Sequence, residues 1–144
     1  MQQLAQARKQ IATKIGPITR HSKLYKTAAW GNTHQPDFIN QVIVAHSKFD
    51  AFAVLKYILE IEHAMGRIRT KKNAPRIIDI DILFFNKEII NTKNLVIPHP
   101  AIQERRFVLT PLNELSPGFI HPLLHKSNHE LLLKCSDTLN VKKI

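Results

Sequence analysis

Asp79 and Asp81 lie inside a stretch with the marks of a buried strand. Residues 77–85 read I-I-D-I-D-I-L-F-F, which is apolar, β-branched and aromatic apart from the two carboxylates. Side chains at i and i+2 of a strand share a face. Asp79 and Asp81 would therefore stand side by side, with Ile78, Ile80 and Ile82 on the opposite face. Two like charges on an apolar strand are costly unless a cation or hydrogen-bond donors meet them. Mg2+ suits such a pair, because it binds one or two carboxylates and completes its shell with water and substrate phosphates. An isolated D-x-D also fits a strand with one wetted face. The flanking residues have to separate these readings.

The densest positive cluster, Arg67, Arg69, Lys71, Lys72 and Arg76, comes directly before the aspartates. A basic loop running into a two-carboxylate strand suits a metal–triphosphate better than a long duplex. Each arginine taken alone would equally be a solvated surface charge. His121, His125 and His129 recur at the spacing of zinc ligands on a helix face. Pro122 and Ser127-Asn128 argue against a continuous helix there, and loop histidines are the simpler reading. Cys135 follows Leu131, Leu132 and Leu133 and reads as a packing residue.

Several segments together carry a resemblance to a known family. Pro75-Arg76-x-x-Asp79-x-Asp81 resembles the signature of the 6-hydroxymethyl-7,8-dihydropterin pyrophosphokinases of folate biosynthesis. Gln35-Pro36-Asp37-Phe38-Ile39-Asn40-Gln41 is similar to that family's Q-P-x-[FY]-x-N segment. Ile61-Glu62 followed by Gly66-Arg67-Ile68-Arg69 is similar to its I-E…G-R-x-R segment. Ile97-Pro98-His99-Pro100, then Arg105, Arg106 and Phe107, is similar to its P-H-P…R-x-F segment. The likeness runs from about Ile18 to His121 with the segments in family order.

The resemblance implies transfer of the β,γ-diphosphoryl group of ATP to the hydroxymethyl oxygen of the pterin, with release of AMP. It implies two Mg2+ ions held by Asp79 and Asp81 against the phosphates. It assigns Arg76 and Arg67 to catalysis beside the aspartates. Glu62, Arg67, Arg69, Arg76, Ile82, His99 and Arg105 become the ATP-binding set. Thr27, Phe38, Asn40 and Phe107 become the pterin-binding set, with Phe38 and Phe107 sandwiching the ring and Asn40 serving its hydrogen-bonding edge. Phe38 and Asn40 share a strand face by the period of two, so one ring could touch both.

This chain departs from the family pattern in places. Ala28-Ala29-Trp30 stands where the family often has two rigid residues after the threonine. Asn73-Ala74-Pro75-Arg76 replaces the usual Trp-Gly-Pro-Arg, and the loop at residues 70–75 is slightly short. These changes bear on closure of a lid more than on the metal site.

The elements that must position these residues read as follows. Residues 3–15 predict a helix with Leu4, Ala7, Ile11 and Ile15 at helical spacing, ended by Gly16-Pro17. Residues 18–25 and 38–46 predict strands around a loop at 26–37. Residues 50–65 predict an amphipathic helix with Phe52, Leu55, Leu59 and Ile61 among its apolar positions, Asp50 as N-cap and Gly66 as its end. The aspartate strand follows, then a turn at Asn86-Lys87 and a short strand at 88–91. Residues 98–107 and 111–115 predict two short helical turns, and 127–136 a C-terminal helix. The α-β-β-α-β order predicts an α+β fold. The resembled family has a ferredoxin-like α/β sandwich, an antiparallel sheet with helices on one face. The sequence as it stands opens inside that fold's first helix, so the expectation is a single domain over residues 1–144 with its first, interior strand missing. A mis-set start, a natural truncation with little activity, or another segment or chain filling the gap would each account for this. The first is favoured, because an apolar hole in a sheet is costly.

Composition bounds the rest. The 144 residues suit one domain, and 44% are hydrophobic, as in ordinary globular proteins. No apolar run reaches the roughly 18 residues of a membrane helix, and the N-terminus lacks the apolar stretch of a signal peptide. The single cysteine suits a reducing cytoplasm. A net charge of +10 calls for a polyanionic partner, of which ATP is the specific candidate. The expectation is a monomer that binds ATP and the pterin, with no nucleic-acid or membrane partner. Two alternatives stay open: a basic ferredoxin-like RNA-binding module, which lacks the expected exposed-aromatic strand, and an inactive homologue kept as a partner subunit.

Overall fold

The predicted spacing of Leu4, Ala7 and Ile11 is realised in α1, Gln2–Lys14, which buries Ala7 and Ile11, and Ile15 is buried in the turn just past its end. The structure, a computed structural model, describes residues 2–27, 38–67 and 78–144. The expected loop residues 28–37 and 70–75 lie outside these, as do Trp30, Arg69 and Arg76. The chain forms two compact units, Met1–Thr19 with Val44–Ile82, and Arg20–Ile43 with Leu83–Ile144.

In the first unit α1 packs on α2, Ala51–Glu62. Asp50 caps α2, its carboxylate accepting the Ala53 N–H at 2.8 Å. The buried stripe of α2 is Ala51, Val54, Ile58 and Ile61, while Phe52 and Leu59 are half exposed. The helix runs into a kinked turn, His63–Arg67, where Gly66 has φ 101°. That left-handed conformation suits glycine, which has no Cβ to clash. Gly16 is required for a different reason. A Cβ there would meet the His46 carbonyl oxygen at 1.8 Å. The chain then enters β1, Ile18–His21, which pairs with β4, Ile43–Ala45.

The aspartate segment corrects one expectation. Residues 78–84 make no strand ladder. A ladder needs a partner strand, and none of the strands among the described residues pairs with this segment. The period of two survives nonetheless. Ile78 is buried, Ile80 and Ile82 are half-buried, and Asp79 and Asp81 are exposed.

In the second unit β2, Tyr25–Thr27, lies between β3, Phe38–Asn40, and β7, Val141–Lys143, both antiparallel to it. The strands expected at 18–25 and 38–46 are therefore each split in two. Ser22 causes the break. It is fully buried, its N–H donates to the Val42 carbonyl at 2.8 Å, and its hydroxyl accepts the Val42 N–H at 3.0 Å. A side chain thus supplies one bond where a regular ladder would use backbone alone. The short strand expected at 88–91 shrinks to β5, Ile90–Asn91, paired with β6, Val96–Ile97.

The two helical turns expected near residues 98–115 become a 3-10 turn, Ile102–Glu104, and one continuous helix, α3, Arg106–Leu115, with Pro111 inside it. The C-terminal helix is α4, Asn128–Leu133, shorter than expected. Ser127 and Glu130 form a reciprocal capping box at its start. Ile102, Leu109, Leu112 and Leu131 are the core of this unit, and Cys135 packs against it as anticipated. Antiparallel sheets with separate helices place the chain in the α+β class.

Candidate functional site

Three of the four residues expected to bind a pterin are on β2 and β3. The register sets Tyr25 opposite Asn40 and Thr27 opposite Phe38. By the strand period these four side chains share one face. Thr27 is 3% exposed and Phe38 58% exposed. The fourth residue, Phe107, enters from the first turn of α3. Its carbonyl would normally receive an N–H from position 111, but Pro111 has none. The Asn40 side-chain amide takes that carbonyl instead, with Nδ2 donating at 2.7 Å. The unit therefore brings all four expected residues into one neighbourhood. Two buried atoms there, Thr27 Oγ1 and Asn40 Oδ1, have no hydrogen-bond partner among the described residues. Buried polar atoms are seldom left so, and such groups mark places where a ligand or water completes the bonding.

Arg105 and His99 belong to the same unit. The Arg105 guanidinium lies 5.8 Å from the centroid of the Phe107 ring, a cation–π distance. His99 Nδ1 accepts the Ala101 N–H at 3.1 Å. In the neutral ring that bond leaves the proton on Nε2, which is then a donor. The His99 N–H donates to the Leu83 carbonyl at 2.9 Å.

The carboxylates belong to the first unit. Glu62, at 1% exposure, turns its side chain to the aspartate segment, and Oε2 accepts the Ile80 N–H at 2.8 Å. Ile80 lies between Asp79 and Asp81. The bond anchors the backbone at that residue, and the two flanking carboxylates are exposed. Ile82 is half-buried just after them. Among the described residues no group of three or more His, Cys, Asp or Glu side chains converges as a ready metal cage. Two exposed carboxylates remain a fitting donor set for a hard cation that draws its other ligands from water and phosphate. Only the backbone of Arg67 is described.

Sequence reasoning missed two acidic residues. Glu114 of α3 accepts the Tyr25 hydroxyl at 2.6 Å and the Lys23 N–H at 3.1 Å. Burial, and then the Glu114 bond, push the Tyr25 hydroxyl up to about 12. Burial also pushes the Glu114 carboxyl up, but the Tyr25 hydroxyl, the Lys23 N–H and the charges of Lys143 and Lys23 outweigh it. The net result holds the group below the usual carboxylate range. Asp137 accepts the N–H of Arg106 at 3.0 Å. No local pattern points to either residue, since each acts across a long sequence gap. Among the described residues the three C-terminal histidines do not converge as a metal cage. His121 is buried, and its Nδ1 accepts the N–H groups of Leu123 and Leu124, both at 3.1 Å.

Residues 1–117 match the 7,8-dihydro-6-hydroxymethylpterin-pyrophosphokinase family. The chain belongs to that family. It is 39% identical over 127 residues to a folic acid synthesis protein of Dictyostelium discoideum, covering 88% of this chain and 19% of that protein. It is 39% identical over 109 residues to the 2-amino-4-hydroxy-6-hydroxymethyldihydropteridine pyrophosphokinase of Aquifex aeolicus, covering 76% of this chain and 68% of that enzyme. The pyrophosphokinase of Methylorubrum extorquens is 36% identical over 103 residues, covering 72% and 65%. The chain thus spans about two thirds of the stand-alone pyrophosphokinases and about a fifth of the longer folic acid synthesis protein. Within this pyrophosphokinase family fold, no helix among the described residues is long and apolar enough to cross a membrane.

Proposed function

We propose that the protein transfers the diphosphoryl group of ATP to 6-hydroxymethyl-7,8-dihydropterin in folate biosynthesis. The hydroxymethyl oxygen forms a bond to the β-phosphorus of ATP. The bond from that phosphorus to the bridging oxygen breaks, AMP leaves with the oxygen, and the hydroxyl proton passes to solvent. The observation that carries this reading is the Asn40–Phe107 bond, with the unpaired Asn40 Oδ1 and Thr27 Oγ1 beside it. A flat heteroaromatic with donors along its edge would satisfy both oxygens, while the exposed Phe38 ring offers it a face.

In this reading Phe38 and Phe107 hold the ring from its faces, and Thr27 and Asn40 orient its edge. His99, through Nε2–H, and Arg105 bind phosphate oxygens of ATP. Arg67, Arg69 and Arg76 neutralise the phosphate chain, Arg76 and Arg67 at the reacting phosphoryl group, and Ile82 supports the nucleotide. Glu62 serves the ATP site through its hold on Ile80. Asp79 and Asp81 would hold the two Mg2+ ions, whose charge would neutralise the phosphates and favour a transfer that depends on positioning and electrostatics. Residues 1–144 act as one pterin pyrophosphokinase-like domain, and the protein works as a monomer in the cytoplasm.

The test is a release assay. ATP and the reduced pterin, with Mg2+, are expected to give AMP and pterin diphosphate in equal amounts, and a chelator should stop both. Absence of pterin-dependent AMP would overturn the proposal.

A further inference from the structure

Arg106 stands between two residues proposed for the substrates, yet its side chain turns to the C-terminal segment. Nε donates to the Asp137 carbonyl at 2.7 Å and Nη2 to the Cys135 carbonyl at 3.1 Å. The Arg106 N–H, the first of α3, donates to Asp137 Oδ2 at 3.0 Å. Asp137 Oδ1 accepts the Leu139 N–H, also at 3.0 Å. Both carboxylate oxygens are therefore engaged. One satisfies an orphan donor at a helix N-terminus, where negative charge is favoured. The other forms the turn that leads into β7.

β7 then lies along β2. Val141 is opposite Thr27, Lys143 is opposite Tyr25, and the Ile144 N–H donates to the Leu24 carbonyl at 2.9 Å. Combined with the β2–β3 register, this puts Val141, Thr27 and Phe38 in one cross-strand row. Residues 137–143 thus form a strap from the helix end that carries Phe107 to the strand that carries Thr27. At the other end of α3, the Glu114–Tyr25 bond ties the same helix to the same strand. The family match ends at residue 117, so the strap lies beyond it.

We infer that Asp137 is a positioning residue of the pterin pocket. Through Arg106 it fixes the helix turn that presents Phe107, and through β7 it fixes Thr27, which Val141 flanks on the side away from Phe38. The inference rests on the reading of Thr27, Phe38, Asn40 and Phe107 as that pocket. A bound ring meets groups from β2, β3 and α3, so its affinity depends on how firmly those elements are held together.

The experiment compares the wild type with Asp137→Ala, Asp137→Asn and Ile58→Ala. Ile58 is buried in the first unit and controls for general destabilisation. Calorimetry measures the reduced pterin and a non-hydrolysable ATP analogue separately, at a temperature where every variant is folded. Amide hydrogen exchange is followed without ligand. Asp137→Ala should bind the pterin about tenfold more weakly, the scale of one charge-assisted hydrogen bond, and the ATP analogue within about twofold of wild type. Amides of Tyr25–Thr27 should exchange faster. Asp137→Asn, which keeps one acceptor oxygen, should restore part of both. Ile58→Ala should lower the melting temperature and leave pterin affinity intact. Wild-type pterin binding by Asp137→Ala, equal losses for both ligands, or the same pterin loss in Ile58→Ala would overturn the inference. A wild type that binds no pterin would overturn the pocket reading itself, and the inference with it.

Discussion

The Asn40 side-chain amide donates at 2.7 Å to the carbonyl of Phe107, four residues before Pro111. The proline lets α3 start at Arg106 and still leave a carbonyl for a strand residue to bind. An unmet buried carbonyl costs about 1–3 kcal/mol. Asn40→Leu should therefore destabilise the protein by about that much in denaturant unfolding. Pro111→Ala supplies the missing N–H, so the double variant should recover part of the loss. Strict additivity of the two changes would disprove the link between proline and amide.

Asp79 and Asp81 are exposed on the face opposite the isoleucines. Changing either to Asn should leave the chain folded, at a cost of about 1 kcal/mol or less, the scale of a surface polar interaction. Mg2+-dependent AMP release should nevertheless collapse, because half the carboxylate donor set is gone. Parallel melting curves and turnover assays check the pair of outcomes, and near-normal turnover in either variant would remove the metal assignment.

Glu62 should behave in the opposite way. Glu62→Ala leaves the Ile80 N–H unpaired and should cost about 1–3 kcal/mol. Glu62→Gln keeps an acceptor oxygen and should cost less. Both should lower turnover by loosening the aspartate segment. Urea unfolding and turnover, measured together, would show whether stability and activity fall in step.

Burial, with a contribution from the nearby His125, holds the His121 imidazole below its ordinary value of 6.5. The unfolded chain then takes up a proton at higher pH than the folded one. Stability should be fully present above pH 6.5 and fall as pH drops through that value towards the folded-state one. His121→Asn retains an acceptor for the Leu123 and Leu124 N–H groups without titrating, and should flatten this limb. The limb near pH 4.5 from Glu114, whose carboxyl is held low, should remain. Denaturant unfolding across pH 4–8 distinguishes the two limbs, and an unchanged profile in His121→Asn would reject the assignment.

Local physics was legible in the chain. The α1 periodicity, the Asp50 cap with its Gly66 stop, the Asn86 turn and the start of the C-terminal helix each depend on a few neighbouring residues, and each is present. The alternation around Asp79 and Asp81 also holds, since it follows from side-chain hydrophobicity along one short segment. A ladder for that segment does not, because pairing depends on a strand elsewhere. Nor could spacing show that Ser22 would interrupt two strands, or that Pro111 would sit inside a helix. The decisive polar bonds join residues 67, 89 and 31 positions apart, Asn40 to Phe107, Tyr25 to Glu114 and Arg106 to Asp137. An amide or carboxylate carries no local mark of which distant carbonyl or N–H it will satisfy. That choice is made only when packing has brought strand, helix and C-terminal segment together and burial has made an unmet partner costly.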